Sequence, residues 1–119
     1  MENKNMNRLY NLIKKFESDN NSKTTAILFD NENSKGWYRL AISSECLDNL
    51  NPFDATLKVV KYLKENDPTI YPDIPFNIIT VHTDDESIHK VRESFDEGMR
   101  YFNKAELFYD TLTNVYVMI

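Results

Sequence analysis

Two imidazoles and three carboxylates fall within eight consecutive residues, and four of these side chains are the best suited to chemistry. They are His82, Asp84, Asp85 and His89. Such groups are common ligands of divalent metals, and they follow a predicted strand, where open α/β sheets tend to place their sites. Their spacing matches no strong metal signature, and residues 83–86 fit a helix-capping box that explains the acidic groups. We therefore expect no metal and no cofactor, and keep a small metal-dependent hydrolase on these four residues as an alternative.

Nucleophilic catalysis finds little support in the chain. Cys46 is the only cysteine, which excludes an intramolecular disulfide and a Cys-based zinc site, and we interpret it as a small apolar filler. Ser43 and Ser44 lack the flanking glycines of a hydrolase nucleophile. With only Gly36 and Gly98, the chain also has no glycine-rich loop to bind phosphates. These patterns predict a protein that is not an enzyme.

The balance of charge narrows the class of partner. The 119 residues hold 19 Asp and Glu against 14 Lys and Arg, a net charge of −5. Such a chain is not attracted to nucleic-acid phosphates or anionic lipids, so we expect no direct nucleic-acid or membrane binding and a basic protein as partner. The sequence shows neither a signal-peptide core nor a membrane-length apolar stretch, which predicts a cytoplasmic protein. Its length fits one domain, residues 1–119.

The first candidate contact site for such a partner is the proline-stiffened segment 67–75. It carries Ile70, Tyr71 and Ile74 between Asp67 and Asp73. A stiff loop with an aromatic anchor loses little conformational entropy on binding, which favours a contact role. The alternative is that its apolar side chains pack beneath the loop into the core.

Two further groups are candidates. Glu93 and Glu97 lie four residues apart on a predicted helix and stand outside its i,i+4 pairs Glu86–Lys90 and Asp96–Arg100, so they form a possible acidic stripe. Asp30 and Glu32, in a predicted turn, precede Trp37 and combine acidic with aromatic groups.

Hydrophobic periodicity and turn residues predict the elements that position these groups. A helix is predicted over residues 4–18, a hairpin over 24–29 and 37–43, and a helix over 51–65 that buries Phe53, Leu57, Val60 and Leu63. A strand over 76–82 precedes a helix over 83–104, whose buried stripe would include Phe95, Met99 and Phe102. A second hairpin pairs residues 107–109 with 115–119 around a turn at 110–114, so that the last strand lies inside the sheet. The order α-β-β-α-β-α-β-β predicts an α+β (mixed α/β) fold with one sheet of about five strands and three helices.

The leading functional hypothesis is a small acidic, non-catalytic binding protein that inhibits or neutralises a partner protein. A basic nuclease or another nucleic-acid-processing protein suits the charge, as in immunity or anti-defence proteins. A third alternative is a homo-oligomeric structural domain whose sheet edge pairs with a second copy.

Overall fold

A computed structural model describes residues 4–33 and 36–119. The elements, in chain order, are α1 (Lys4–Asn20), β1 (Thr24–Asp30), β2 (Tyr38–Ser44), α2 (Glu45–Asp48), α3 (Pro52–Asn66), α4 (Ile70–Asp73), β3 (Phe76–Thr80), α5 (Glu86–Ser94), β4 (Met99–Leu107) and β5 (Asp110–Met118). The strands form one sheet in the order β3-β2-β1-β5-β4. Only β2 and β3 run parallel, while the other neighbours are antiparallel. The predicted mixed α+β fold with five strands is confirmed, and the short helices α2 and α4 are additions to it.

Helices cover both faces of the sheet. Successive residues of a strand point to opposite faces, and in β1 Leu28 packs into a core with α1, α3 and α4, whereas Ile27 packs into a core with α5. Phe16 and Val59 belong to the first core, and Val91 belongs to the second. The central strands of the sheet are therefore buried between two helical layers, whereas the outer strand β4 is largely exposed.

Helix α3 is predicted correctly, but the face that it buries is not. Its buried residues are Ala55, Val59 and Leu63, whereas Phe53 is 74% exposed and Leu57 is 45% exposed. Two apolar stripes overlap on this helix, and they share Leu63. The stripe with Ala55 faces inward because its small side chain lets α3 lie close to the neighbouring β3 and α1.

The predicted helix over residues 83–104 is wrong in its second half. Helix α5 ends at Ser94, Phe95 is extended, and Met99 already lies in β4. The chain turns at Gly98, which has φ 142°, a backbone angle rarely adopted by other residues. Gly98 and Ile119 then exchange two backbone hydrogen bonds of 2.9 Å, and β4 pairs with β5 over residues 99–102 and 104–107. Pairing with a distant strand thus overrides the helical spacing of the apolar residues.

The predicted capping box is also wrong. The N-cap of α5 is Asp85, whose side chain accepts a hydrogen bond of 2.8 Å from the backbone N–H of Ser87. Thr83 instead donates its hydroxyl to the carboxylate of Asp48 at the end of α2. Helix α5 therefore begins two residues later than a Thr83 cap would require.

The second hairpin turns earlier than predicted. Strand β5 begins at Asp110, and the turn consists of Phe108 and Tyr109 alone, between the paired residues Leu107 and Asp110. The prediction that the last strand lies inside the sheet is confirmed, because β5 lies between β1 and β4.

Candidate protein-binding surface

The proline-rich segment contributes to the core. It contains α4, where a connection without regular structure was predicted, and Ile70 and Ile74 are 0% and 2% exposed. Tyr71 stacks on Phe76 with 4.8 Å between ring centroids. Its buried hydroxyl has no hydrogen-bond partner, and burial raises its pKa to about 12. Ile70 and Ile74, predicted as contact residues, are therefore inaccessible to a partner in this fold.

The two aspartates of this segment bind α1. Arg8 contacts the carboxylates of Asp73 at 2.6 Å and Asp67 at 2.8 Å. Hydrogen bonds to Asp73 and Asp67 raise the pKa of Arg8, and the bond from Arg8 lowers the pKa of Asp67. The predicted acidic rim of the segment thus ties the segment to the first helix.

The two glutamates of the predicted acidic stripe do not share a helix face. Glu93 lies exposed on α5, whereas Glu97 follows the end of that helix. Glu97 contacts Lys14 of α1 at 3.1 Å, so its charge is partly matched within the chain. The stripe required a helix through residue 97, and its loss follows from the earlier end of α5.

The histidine cluster does not assemble a metal site. The Nδ1 atom of His82 lies 2.7 Å from Asp84, and its Nε2 atom lies 3.8 Å from Asp48, while Asp85 is used as the cap of α5. Across residues 4–33 and 36–119, no group of three or more His, Cys, Asp or Glu side chains could hold a metal ion. The geometry therefore gives no support to the hydrolase alternative on these residues and His89.

The third predicted group, at the β1–β2 turn, is accessible. Trp37 is 46% exposed, and its carbonyl accepts the backbone N–H of Asn31 at 3.0 Å. Asp30 and Glu32 line a cleft of about 130 Å³ together with Asp110, at the start of β5. The fold thus brings a carboxylate from the second hairpin to the predicted acidic pair.

Hydrogen bonds hold one of these carboxylates in place. Asp30 accepts from the Thr113 hydroxyl at 3.1 Å and from the Asn114 amide at 2.9 Å. Because both donors belong to β5, the carboxylate has a defined position at the end of the sheet.

Tyr109 was not among the predicted site residues, yet it is the most exposed large hydrophobic side chain of the described chain, at 93%. Its hydroxyl donates to Glu86 at 3.0 Å, and this hydrogen bond raises the pKa of Tyr109. Tyr109, Glu86 and Asp110 line a second cleft of about 220 Å³, and Asp110 also lines the first. Each cleft has one basic lining residue, Arg39 in the first and Lys90 in the second, against three carboxylates. We call the resulting surface the acidic–aromatic end; it consists of Asp30, Glu32, Trp37, Glu86, Tyr109 and Asp110.

The backbone that presents Tyr109 is strained. Phe108 and Tyr109 have φ angles of 55° and 60°. A two-residue hairpin turn of this kind favours Asn-Gly, and bulky side chains at positive φ are uncommon. Phe108 is held by α5 and β1: its N–H donates to the Ser87 hydroxyl at 2.7 Å, and its ring lies 6.4 Å from that of Phe29. Strain that the fold maintains in this way is frequent at functional sites.

Neither of the two clefts has the size of a usual small-molecule pocket. At about 130 and 220 Å³, both are smaller than the roughly 300–1,000 Å³ typical of small-molecule pockets.

The described helices include none that is long and apolar enough to cross a membrane.

Comparisons with protein-family models, curated protein sequences and solved structures give no match to this chain. They therefore link it to no catalytic family, and the case for its function rests on the surface described above.

Proposed function

We propose that this protein is a non-catalytic binding protein that inhibits or neutralises a basic partner through its acidic–aromatic end. The observation that carries the proposal is Tyr109, which is 93% exposed on a strained turn beside the carboxylates of Glu86 and Asp110. The exposed ring adds almost no buried area to the core, and its one hydrogen bond, to Glu86, lies at the surface, so packing does not account for the strained backbone that presents it.

The acidic–aromatic end combines an aromatic anchor, Tyr109, with surrounding carboxylates, and both favour the binding of a basic protein. Tyrosine is enriched among residues that dominate binding energy, and a ring on a short, tight turn loses little conformational freedom when it is buried. The surrounding carboxylates add attraction to a basic surface and accelerate encounter. The net charge of −5 acts in the same direction.

The partner class that fits best is a nuclease or another nucleic-acid-processing protein of the cell interior. Such proteins use Lys and Arg to bind phosphates, and carboxylates placed on those side chains would compete with the nucleic acid. Immunity and anti-defence proteins act by this principle, and we assign the protein to that functional type.

The experiment compares three immobilised proteins as baits in the native cell extract: the wild type, Tyr109→Ala and Phe53→Ala. Phe53 is also exposed but lies on α3, outside the acidic–aromatic end, so its variant controls for nonspecific apolar adhesion. We expect the wild type and Phe53→Ala to retain the same basic protein and to reduce its nucleic-acid-processing activity when added in solution.

Tyr109→Ala should do neither while keeping the wild-type fold. Equal capture and equal inhibition by Tyr109→Ala would refute the assigned surface. A captured partner that is acidic, or whose activity the wild type leaves unchanged, would refute the assigned function.

A further inference from the structure

The outer edge of β4 is a strand edge without a partner in the described part of the chain. Strand β4 is the last strand of the sheet and pairs with β5 on one side only. A free edge presents backbone N–H and C=O groups to which another strand can pair. The side chains along it indicate which strand would fit.

The backbone groups on this edge follow from the hairpin. In a two-residue hairpin, the closing pair Leu107–Asp110 exchanges backbone hydrogen bonds, and such pairs alternate along the uninterrupted ladder from that pair to Lys104–Thr113. Ala105 therefore directs its backbone groups to β5, whereas Lys104 and Glu106 direct theirs outward. A contact on the edge agrees with this orientation, because the Glu106 carbonyl accepts the Lys90 ammonium at 3.3 Å.

The side chains of Lys104 and Glu106 are also suited to a partner strand. Both are exposed and lie on the face opposite Ala105 and Leu107, which pack toward α5. Their neighbours on β5 are the uncharged Thr113 and Thr111, and the Thr111 hydroxyl donates a hydrogen bond of 2.6 Å to one carboxylate oxygen of Glu106. Within residues 4–33 and 36–119, neither makes an ion pair.

We propose that β4 pairs antiparallel with β4 of a second copy about a two-fold axis at Ala105. In this register, Lys104 of each copy lies opposite Glu106 of the other, on the same face of the joined sheet. The two-fold axis generates two such Lys104–Glu106 pairs. In each pair, the outward backbone N–H and C=O groups of the two residues form hydrogen bonds with each other.

The neighbouring registers are unfavourable. A two-fold axis at Lys104 places two ammonium groups opposite each other, and an axis at Glu106 does the same with two carboxylates. Lys90 must leave the Glu106 carbonyl on pairing, and its long exposed side chain can swing into solvent. The charge pattern of β4 thus selects a second copy of the same strand in one register.

The first experiment measures the oligomeric state by sedimentation equilibrium over a dilution series. We expect reversible monomer–dimer association of the wild type. Lys104→Glu and Glu106→Lys should each be monomeric, because every pair becomes like-charged. The double variant restores both pairs with reversed sign and keeps the net charge, so it should dimerise again. A wild type that stays monomeric throughout, or a folded double variant as monomeric as the single ones, would overturn the proposal.

The second experiment places a cysteine on the axis. Opposed Ala105 residues form a non-hydrogen-bonded pair with Cα atoms roughly 4.5 Å apart, within disulfide range. In a Cys46→Ser background, Ala105→Cys should oxidise to a covalent dimer, whereas Leu57→Cys on α3 should not. Equal cross-linking of both variants, or none at residue 105, would refute the register. Glu106 also lines the second cleft of the acidic–aromatic end. Sedimentation and cross-linking test the dimer, whereas capture of a partner through Tyr109 tests the proposed function, so either proposal can fail without the other.

Discussion

Replacing Tyr109 with glycine should stabilise the isolated protein while removing its binding anchor. A non-glycine residue in the left-handed region costs roughly 1–2 kcal/mol. Glycine removes that cost, but it increases the conformational entropy of the unfolded chain, which destabilises the fold by roughly 0.5–1 kcal/mol. Since Tyr109 is 93% exposed, its ring gives up almost no buried area, and water replaces the exposed hydrogen bond that its hydroxyl donates to Glu86.

The expected net effect is a gain of about 0.5 kcal/mol in the free energy of unfolding, which is a rise of about 2 °C in the melting temperature for a domain of this size. Tyr109→Ala is the matched comparison, because it truncates the ring but keeps a Cβ at φ 60°. It should be no more stable than the wild type.

Thermal and urea unfolding of the three proteins test the reasoning, with partner capture measured on the same samples. Glycine should raise the unfolding midpoint, and both variants should lose the partner. If glycine destabilises the protein by as much as alanine does, the backbone at Tyr109 is not strained and the structural part of the argument fails.

Three further changes have defined outcomes. Tyr71→Phe removes a buried hydroxyl that has no hydrogen-bond partner and should raise the free energy of unfolding by about 1 kcal/mol, measured in urea; a loss of stability would show that the hydroxyl is satisfied. Arg8→Met should destabilise the protein at neutral pH, where Asp67 is ionised and bound. Arg8 lowers the pKa of Asp67 in the folded state, so the ion pair stabilises the fold at pH values above the ordinary carboxyl pKa. This stabilisation is lost as the pH falls through the lowered pKa of Asp67, so the stability difference between Arg8→Met and the wild type should shrink in acid. A stability difference that does not change with pH would contradict the argument. Deleting residues 115–119 should abolish recovery of folded protein, because it removes buried Val115 and Val117 and half of the inner strand β5; a truncated chain with an unchanged melting curve would exclude that strand from the core.

The elements that could be predicted are those whose signals are local. Helix α1 and strands β1 and β2 occur where apolar spacing and turn residues place them. The start of α3 follows from Asn51, whose side chain accepts the Asp54 N–H at 2.9 Å, and from Pro52 at the first helical position. Such signals involve residues a few positions apart, so the sequence displays them directly.

The candidate site was only partly predictable. Glu32 and Trp37 lie in the β1–β2 turn and are exposed, as a polar turn beside an exposed aromatic residue predicts, and Asp30 is half-buried at the end of β1. Ile70 and Ile74 are buried, since an apolar side chain on a connection can point in or out and only the neighbouring helices decide which. Tyr109 was missed because Phe-Tyr carries none of the residue types that mark a hairpin turn.

The sequence by itself determined the α+β class, the five strands in one sheet and the acidic charge, since these depend on composition and on periodicity within short windows. Only the tertiary structure decided that α5 ends at Ser94, that residues 99–107 pair as a strand and that Tyr109 stands at the turn. The physical reason is the same in each case. Strand β5 provides hydrogen-bond partners for the backbone of β4, and the register between the two strands sets the position of the turn. This pairing outweighs the helical spacing of Phe95, Met99 and Phe102.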